Sequence, residues 1–446
     1  MYIDFLINTF KENKEKIAII YKKKEYTYEF ILNEYKKCQE YIRKERINRN
    51  SVVALKTDFN PEAICLLLAL IENGCILVPI SSVVKNLQEY LDIAEVSYFI
   101  NLTNEEPILK NTNIKVKHKL LLELIENRKN PGLILFSSGT TGKPKAALHD
   151  LVPLLQKFKV KRKAMRTITF LLFDHIGGFN TLFHILSNTG TIIALEDRSP
   201  DKVCEMIEKY NVELLPASPT FLNMILFSKA YQKYDISCLK LVTYGTEPMP
   251  ETTLKEFHKV LPNVRLKQTY GLSELGIMRS RSEKSDSLWV KVGGEDYNTK
   301  IVDDKLWIKA KTAMLGYLNA PSPFTKDGWF NTGDRVEVKG EYIKFLGRES
   351  EIINVGGQKV YPTEVESVLL EINGVKDTVV YGEKNPLMGE IVAANVKVDE
   401  LNNNKNFISL IKKYCREKLD KYKIPIKINF TQKDLSSDRS KRSRYL

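Results

Sequence analysis

Apolar residues recur along the chain in two rhythms, one with the period of a helix and one with that of a strand. Tyr28–Arg46 predicts a helix, Ser51–Lys56 a strand, Pro61–Ile71 a second helix, and Lys22–Thr27 a strand turn. The most apolar stretch, Ala63 to Ile80, is interrupted by Glu72-Asn73-Gly74, so it predicts a core helix turning into a strand rather than a membrane span. Leu133–Phe136 reads as a buried strand, and strands and helices alternate onward through Ile168–Phe173, Thr191–Leu195, Asp201–Tyr210, Val212–Pro216 and Leu239–Tyr244. Such alternation predicts α/β layers with largely parallel strands. From Trp289 to Phe345 the rhythm changes to short strands with glycine turns, and after Gly347-Arg348 it becomes a compact α+β unit. The expected fold is therefore α/β: a large N-terminal domain (1–347) of layered α/β subdomains plus a β-rich subdomain, then a small, mobile α+β C-terminal domain (348–446). In the latter, Thr363-Glu364-Val365-Glu366 after Pro362 reads as a capping box.

Composition changes this picture little. At 446 residues, 43% hydrophobic and 28% charged, the chain can bury a large core. Met1-Tyr2-Ile3-Asp4 lacks the basic and apolar regions of a signal peptide, and no CxxC pair occurs among Cys38, Cys65, Cys75, Cys204, Cys238 and Cys415. These features predict a cytoplasmic protein with reduced thiols and no membrane insertion. The formal charge of +13 invites a nucleic-acid reading, yet residues 401–446 alone hold 13 Lys/Arg against 4 Asp/Glu, a net +9. A basic tail without an aromatic-interleaved array or a nucleic-acid module predicts no nucleic-acid partner.

Candidate chemistry begins at residues 137–145: Ser137, Ser138, Gly139, Thr140, Thr141, Gly142, Lys143, Pro144 and Lys145, directly after the Leu133–Phe136 strand. Backbone N–H groups, threonine hydroxyls and lysine ammonium in such a loop can hold a polyphosphate. It is not a Walker loop, because only two residues separate Gly139 from Gly142 and Pro144 stands where Ser or Thr is required. Tyr270-Gly271-Leu272-Ser273-Glu274 adds a flat ring and a carboxylate suited to Mg²⁺ beside phosphates. Trp329-Phe330-Asn331-Thr332-Gly333-Asp334, preceded by Gly316-Tyr317, adds an Asp on a glycine turn that can accept from both hydroxyls of a ribose.

Together these segments resemble the adenylate-forming superfamily of acyl-CoA synthetases, luciferases and peptide-synthetase adenylation domains. The longest match is Gly347 to Glu366, containing Arg348, Ser350, Gly356 and Gly357. The resemblance implies that Tyr270 stacks on adenine, that Gly245-Thr246-Glu247 lies beside it, and that Gly271 and Ser273 belong to the same nucleotide site. It further implies that Glu274, with Thr140, meets the metal, that Asp334 binds ribose, and that Arg348 contacts the ribose–phosphate region. Ser350 takes the hinge position, where many relatives have Asp or Lys, and Gly356-Gly357 line the thiol channel. Lys441, followed three residues later by Arg444, matches the lysine that assists adenylation together with Thr140 and Glu274, although Ser440 replaces the usual glycine and the chain stops five residues beyond.

The implied reaction is attack of a carboxylate on Mg·ATP to give acyl-AMP and pyrophosphate, then transfer to a thiol of CoA or of carrier-protein phosphopantetheine. Phe173-Asp174-His175-Ile176-Gly177-Gly178 permits two alignments. One makes His175 border an acyl pocket, and the other makes Asp174 pair with the ammonium of an amino acid. Asp174 in a structural salt bridge is a third reading, and His149 is either a pocket wall or a satisfied polar residue. The expected partners are a small carboxylic or amino acid and CoA or an acyl or peptidyl carrier protein. The alternatives are a free-standing amino-acid activator that loads a carrier protein, and a catalytically weak nucleotide-binding homologue.

Overall fold

The protein is described from a computed structural model, which covers residues 1–103, 107–138, 143–399 and 404–436. It divides into two compact units. One is built from Met1–Pro216, Gly271–Met278 and Lys309–Gly328, the other from Ala217–Tyr270, Arg279–Ile308 and Trp329–Leu446.

In the first unit, Asn60 caps the helix Pro61–Glu72 by accepting from the Ala63 N–H at 2.7 Å, and Ala63 through Ile71 are all buried. A helix apolar on every side belongs in a core, and this one leads into the strand Ile76–Ile80 as its sequence predicts. That strand runs parallel to Val52–Lys56 and to Gly132–Ser138, and Val52–Lys56 runs parallel to Tyr98–Asn101. The sheet continues from Gly132–Ser138 through the antiparallel Pro144–Asp150 to Gly316–Tyr317. In a second sheet of this unit Ile17–Tyr21, Thr191–Ile193 and Arg166–Ile168 are parallel neighbours. The strand expected over Ile168–Phe173 is shorter and earlier, Arg166–Ile168. Beyond it Phe170 and Phe173 spend their apolar surface in the core rather than in a ladder, and His175 caps the helix Ile176–Ser187.

In the second unit Leu241–Tyr244 and Arg265–Gln268 run parallel. The β-rich region is an antiparallel sheet in the order Arg279–Ser282, Trp289–Gly293, Tyr342–Arg348, Phe330–Lys339, Lys305–Ala310, Tyr297–Val302. From Ile353 onward a further sheet forms on the long hairpin Val375–Asn385 and Gly389–Val398, with the helices Pro362–Leu370 and Lys405–Lys418. This segment has a core of its own, centred on Val365, Leu369, Val392, Ile411 and Cys415. The expected capping box is absent there. Pro362 occupies the first helical turn, so Tyr361 is the N-cap and Thr363 lies inside the helix. Glu366 instead is buried and accepts from the Val380 N–H at 3.0 Å. Among the described residues all six cysteines are free thiols, and no helix is long and apolar enough to cross a membrane.

Candidate active site

The Tyr270–Glu274 motif is divided between the two units, Tyr270 belonging to one and Gly271 onward to the other. Each half is built by its own unit.

In the first unit the strands Gly132–Ser138 and Pro144–Asp150 form a hairpin registered Ser137 to Lys145. Of the phosphate loop expected between them, Gly139, Thr140, Thr141 and Gly142 lie outside the described residues, as does Lys441. Lys143 is exposed. The Lys145 ammonium lies over the Tyr317 ring, 5.5 Å from its centroid. Tyr317 is nearly buried, and its hydroxyl donates to Glu274 Oε1 at 2.5 Å.

The backbone carrying Glu274 is held by donors from several elements. His149 Nε2 donates to the Ser273 carbonyl at 2.6 Å, and the Met314 N–H to the Glu274 carbonyl at 2.8 Å. Thr312 Oγ1 donates to the Leu275 carbonyl at 2.7 Å, and Lys157 Nζ to the Ile277 carbonyl at 2.9 Å. Buried carbonyls require such partners, and meeting them from three separate segments leaves the loop little freedom. His149 is fully buried, and burial pushes its imidazole down to about 4, so at neutral pH the ring is uncharged with its proton on Nε2, facing a carbonyl.

Nearby in sequence to no part of this loop, Asp174 is buried with Oδ2 accepting from both the backbone N–H and the hydroxyl of Ser81, at 3.2 and 2.7 Å. His175 Nδ1 accepts from the Gly177 N–H at 3.0 Å. Of the two residues proposed from sequence for the substrate, His175 thus caps the helix Ile176–Ser187 and Asp174 holds Ser81.

In the second unit Tyr270, Asp334 and Arg348 meet. The Tyr270 hydroxyl donates to Asp334 Oδ2 at 2.5 Å, and Arg348 Nε lies 3.4 Å from Asp334 Oδ1. Asp334 and Arg348 are cross-strand neighbours, which the antiparallel register of Phe330–Lys339 with Tyr342–Arg348 enforces. Phe345, absent from the sequence-based set, stacks on Tyr270 with centroids 4.5 Å apart at 15°. Burial, followed by the adjacent Asp334 carboxylate, holds the Tyr270 phenol protonated well above its ordinary range. Asp334 is itself buried, with an 11% exposed side chain, and accepts from Tyr270 while facing Arg348.

At the end of the strand Leu241–Tyr244 the chain turns sharply. A Cβ on Gly245 would sit 2.6 Å from the Thr269 carbonyl oxygen, so only glycine fits. Thr246 follows at φ 74°, unusual for a β-branched residue and the kind of strain that clusters at functional loops. Glu247 accepts from the Thr220 N–H at 2.8 Å, at the start of the helix Pro219–Ser228. Ser350 is exposed in the single turn Glu349–Glu351. Gly356 and Gly357, at φ 57° and 87°, make the tight turn between Ile353–Val355 and Gln358–Val360.

Sequence reasoning placed Tyr270, Asp334 and Arg348 in one site, and they meet. It noted Gly316-Tyr317 only as a spacing and missed Phe345 and Ser81, whose roles depend on register and long-range packing.

The AMP-binding enzyme family matches residues 7–318, and the AMP-binding enzyme C-terminal domain matches residues 364–442. The chain is 30% identical to acyl-CoA synthetase 7 of Caenorhabditis elegans over 350 residues, which cover 71% of this chain and 64% of that one. With 2-succinylbenzoate–CoA ligase of Bacillus pumilus it shares 25% identity, covering 93% of this chain and 91% of the relative. Several other curated relatives are longer, and the chain spans about three fifths of their length. The crystal structure of the anthranilate CoA ligase AuaEII with anthranoyl-AMP has the same fold, with a TM-score of 0.81 at 21% identity, covering 99% of this chain and 95% of that one. With the family matched across most of its length, this chain belongs to the AMP-binding enzyme family.

Proposed function

We propose that the protein is an AMP-forming acid–thiol ligase: it joins a small carboxylic acid to ATP as acyl-AMP, releases pyrophosphate, and passes the acyl group to the thiol of CoA. The observation that carries this reading is the Tyr270–Asp334–Arg348 cluster, which sets an aromatic face beside a carboxylate and a guanidinium. With one face covered by Phe345, the opposite face of Tyr270 remains for a purine. Asp334 serves as acceptor for the ribose hydroxyls, and Arg348 as a charge partner for the ribose–phosphate region.

Glu274 suits Mg²⁺, because this ion typically takes one or two carboxylates and completes its shell with phosphate oxygens and water. Glu274 and, from its motif position, Thr140 would hold it, and the ion supplies charge neutralisation at the triphosphate. The chain's own groups then act by position and charge. The loop 137–145 orients the phosphates, and Lys441 offsets the negative charge that develops as the carboxylate attacks the α-phosphate. Oxygen of the carboxylate bonds to phosphorus while the bond to the pyrophosphate oxygen breaks; the thiolate later attacks the acyl carbon and AMP leaves.

The domain boundary belongs at 347, with Ser350 as hinge and Gly356-Gly357 beside the incoming thiol. The self-contained core that begins at Ile353 supports that division. CoA is favoured over a carrier-protein arm by the names of the relatives, which are CoA ligases and synthetases. Free thiols at all six cysteines suit a reducing cytoplasm.

The test is carboxylate-dependent exchange of labelled pyrophosphate into ATP across fatty, aryl, hydroxy and amino acids, followed by acyl transfer to CoA or to a phosphopantetheinylated carrier. Exchange with an acid and transfer to CoA is the expected result. No exchange with any acid, while ATP still binds, would reject the ligase reading in favour of a nucleotide-binding homologue.

A further inference from the structure

One segment of the first unit, residues 312–319, touches both the phosphate hairpin and the acidic loop. Toward the hairpin, the Leu315 and Leu318 N–H groups donate to the Leu148 and Ala146 carbonyls at 2.7 and 2.9 Å. Asn319 clamps the same strand twice, donating to the Pro144 carbonyl at 2.8 Å and accepting from the Ala146 N–H at 3.0 Å. Toward the acidic loop, Thr312 and the Met314 N–H hold the Leu275 and Glu274 carbonyls. Tyr317 is the residue of this segment whose side chain reaches both sides: its ring carries the Lys145 ammonium and its hydroxyl holds Glu274 Oε1. Packing against Ala147 and Met314 fixes the ring.

A carboxylate that faces solvent from a loop samples several rotamers, and a cation that uses one of its oxygens must first order it. We infer that Tyr317 is a positioning residue that orders Glu274 in advance, tying one carboxylate oxygen to protein and leaving Oε2 for a phosphate-borne cation. Its ring meanwhile keeps Lys145 extended along the hairpin until phosphate oxygens compete for the ammonium. Registering the metal's carboxylate with the phosphate-binding lysine through one side chain explains why a tyrosine, rather than a phenylalanine, stands here. This inference rests on the adenylate-forming reading above.

Calorimetric titration of the full chain with ATP, with Mg²⁺ and with EDTA, separates the two roles. Tyr317→Phe keeps the ring and removes the hydroxyl; it should weaken Mg·ATP binding about tenfold, the scale of a lost hydrogen bond to a charged group. Metal-free ATP should bind within about twofold of the parent, because the same substitution leaves the ring–ammonium contact in place. The double variant with Glu274→Gln should bind Mg·ATP no more weakly than Glu274→Gln alone. Parent-like Mg·ATP binding by Tyr317→Phe, or equal losses with and without metal, would overturn the inference. A 3-fluorotyrosine at position 317 tests it without removing the hydroxyl: its ¹⁹F resonance should move with Mg·ATP far more than with metal-free ATP, and no difference would overturn it. A parent protein that binds no ATP at all would instead sink the adenylate-forming reading, and the inference with it.

Discussion

The acidic loop 271–277 and the segment from Ile353 onward solve opposite problems. The loop is two short strands, Gly271–Leu272 and Gly276–Ile277, around Glu274, and it owes its shape to donors from His149, Lys157, Thr312 and Met314. The later segment brings its own sheet, helices and core. Just before it, the turn Glu349–Glu351 is held at the surface by Lys305 and Arg335, 3.1 and 3.3 Å from Glu349. Buried hydrogen bonds met from many sides suit a carboxylate that must stay put. A core of its own, joined to the rest of the unit by polar contacts such as the Glu349 pairs and the bonds of Ser367 with Glu251 and Thr252, suits a body that turns as a whole. Such contacts are each worth about 1 kcal/mol. In the proposed ligase the first region serves positioning, and the second serves the change between two half-reactions.

The largest effect that would break this contrast belongs to Lys441. Lys441→Ala should lower pyrophosphate exchange by about a hundredfold or more, the scale of losing one charge-stabilising group. Thioester formation from supplied acyl-AMP should persist. Equal loss of both half-reactions would mean the C-terminal segment does not divide its work between steps. Next comes Asp334→Ala, which removes an acceptor from the Tyr270 hydroxyl and a partner from Arg348. Fluorescence titration should show ATP binding weakened by about ten- to a hundredfold, as expected for lost hydrogen bonds to a charged group. Unchanged ATP affinity would detach the cluster from the nucleotide.

How far the site was legible in the sequence follows the same contrast. Gly347–Glu366 and Tyr270–Glu274 are contiguous, so their residue types and spacing stand in view. The partners that fix them are not: Tyr317 lies 43 residues from Glu274, Ser81 lies 93 from Asp174, and Phe345 reaches Tyr270 through a sheet register. Alternating strands and helices predicted the parallel layers because burial on both faces leaves a local signature. The Thr363 capping box was misread because Pro362 claims the first turn of the helix and shifts the cap to Tyr361. The strand over Ile168–Phe173 was overextended because buried phenylalanines look alike in a ladder and in a loop packed on a core.

His149 sharpens the comparison on the rigid side. Its folded pKa of about 4 lies below the ordinary 6.5 because burial penalises the charged ring. Between those values the unfolded chain binds the extra proton, so stability contributed by the neutral ring is full above pH 6.5 and is lost as pH falls toward 4. The whole term is at most about 3 kcal/mol. His149→Phe leaves the Ser273 carbonyl buried without this donor and should cost about 1–3 kcal/mol at neutral pH. Urea unfolding at pH 7.5 and 5 should show a smaller drop for the variant than for the parent. An unchanged pH dependence would place the titrating group elsewhere.

The smallest effect tests the side proposed to move. Glu349→Gln removes the charge that Lys305 and Arg335 share beside Ser350. Lys305, through its hydrogen bond, is the main cause that holds the Glu349 carboxyl below the usual carboxylate range, but the group is solvent-exposed and the pairs are screened. The thermal midpoint should therefore hardly move. What should change is the ratio of overall thioester formation to pyrophosphate exchange, by about two- to threefold, since a surface pair can bias two orientations by under about 1 kcal/mol. High salt should reproduce that shift in the parent and not in the variant. A shift in stability with no change in the ratio would make Glu349 part of the scaffold, and would move the flexible point of the chain away from Ser350.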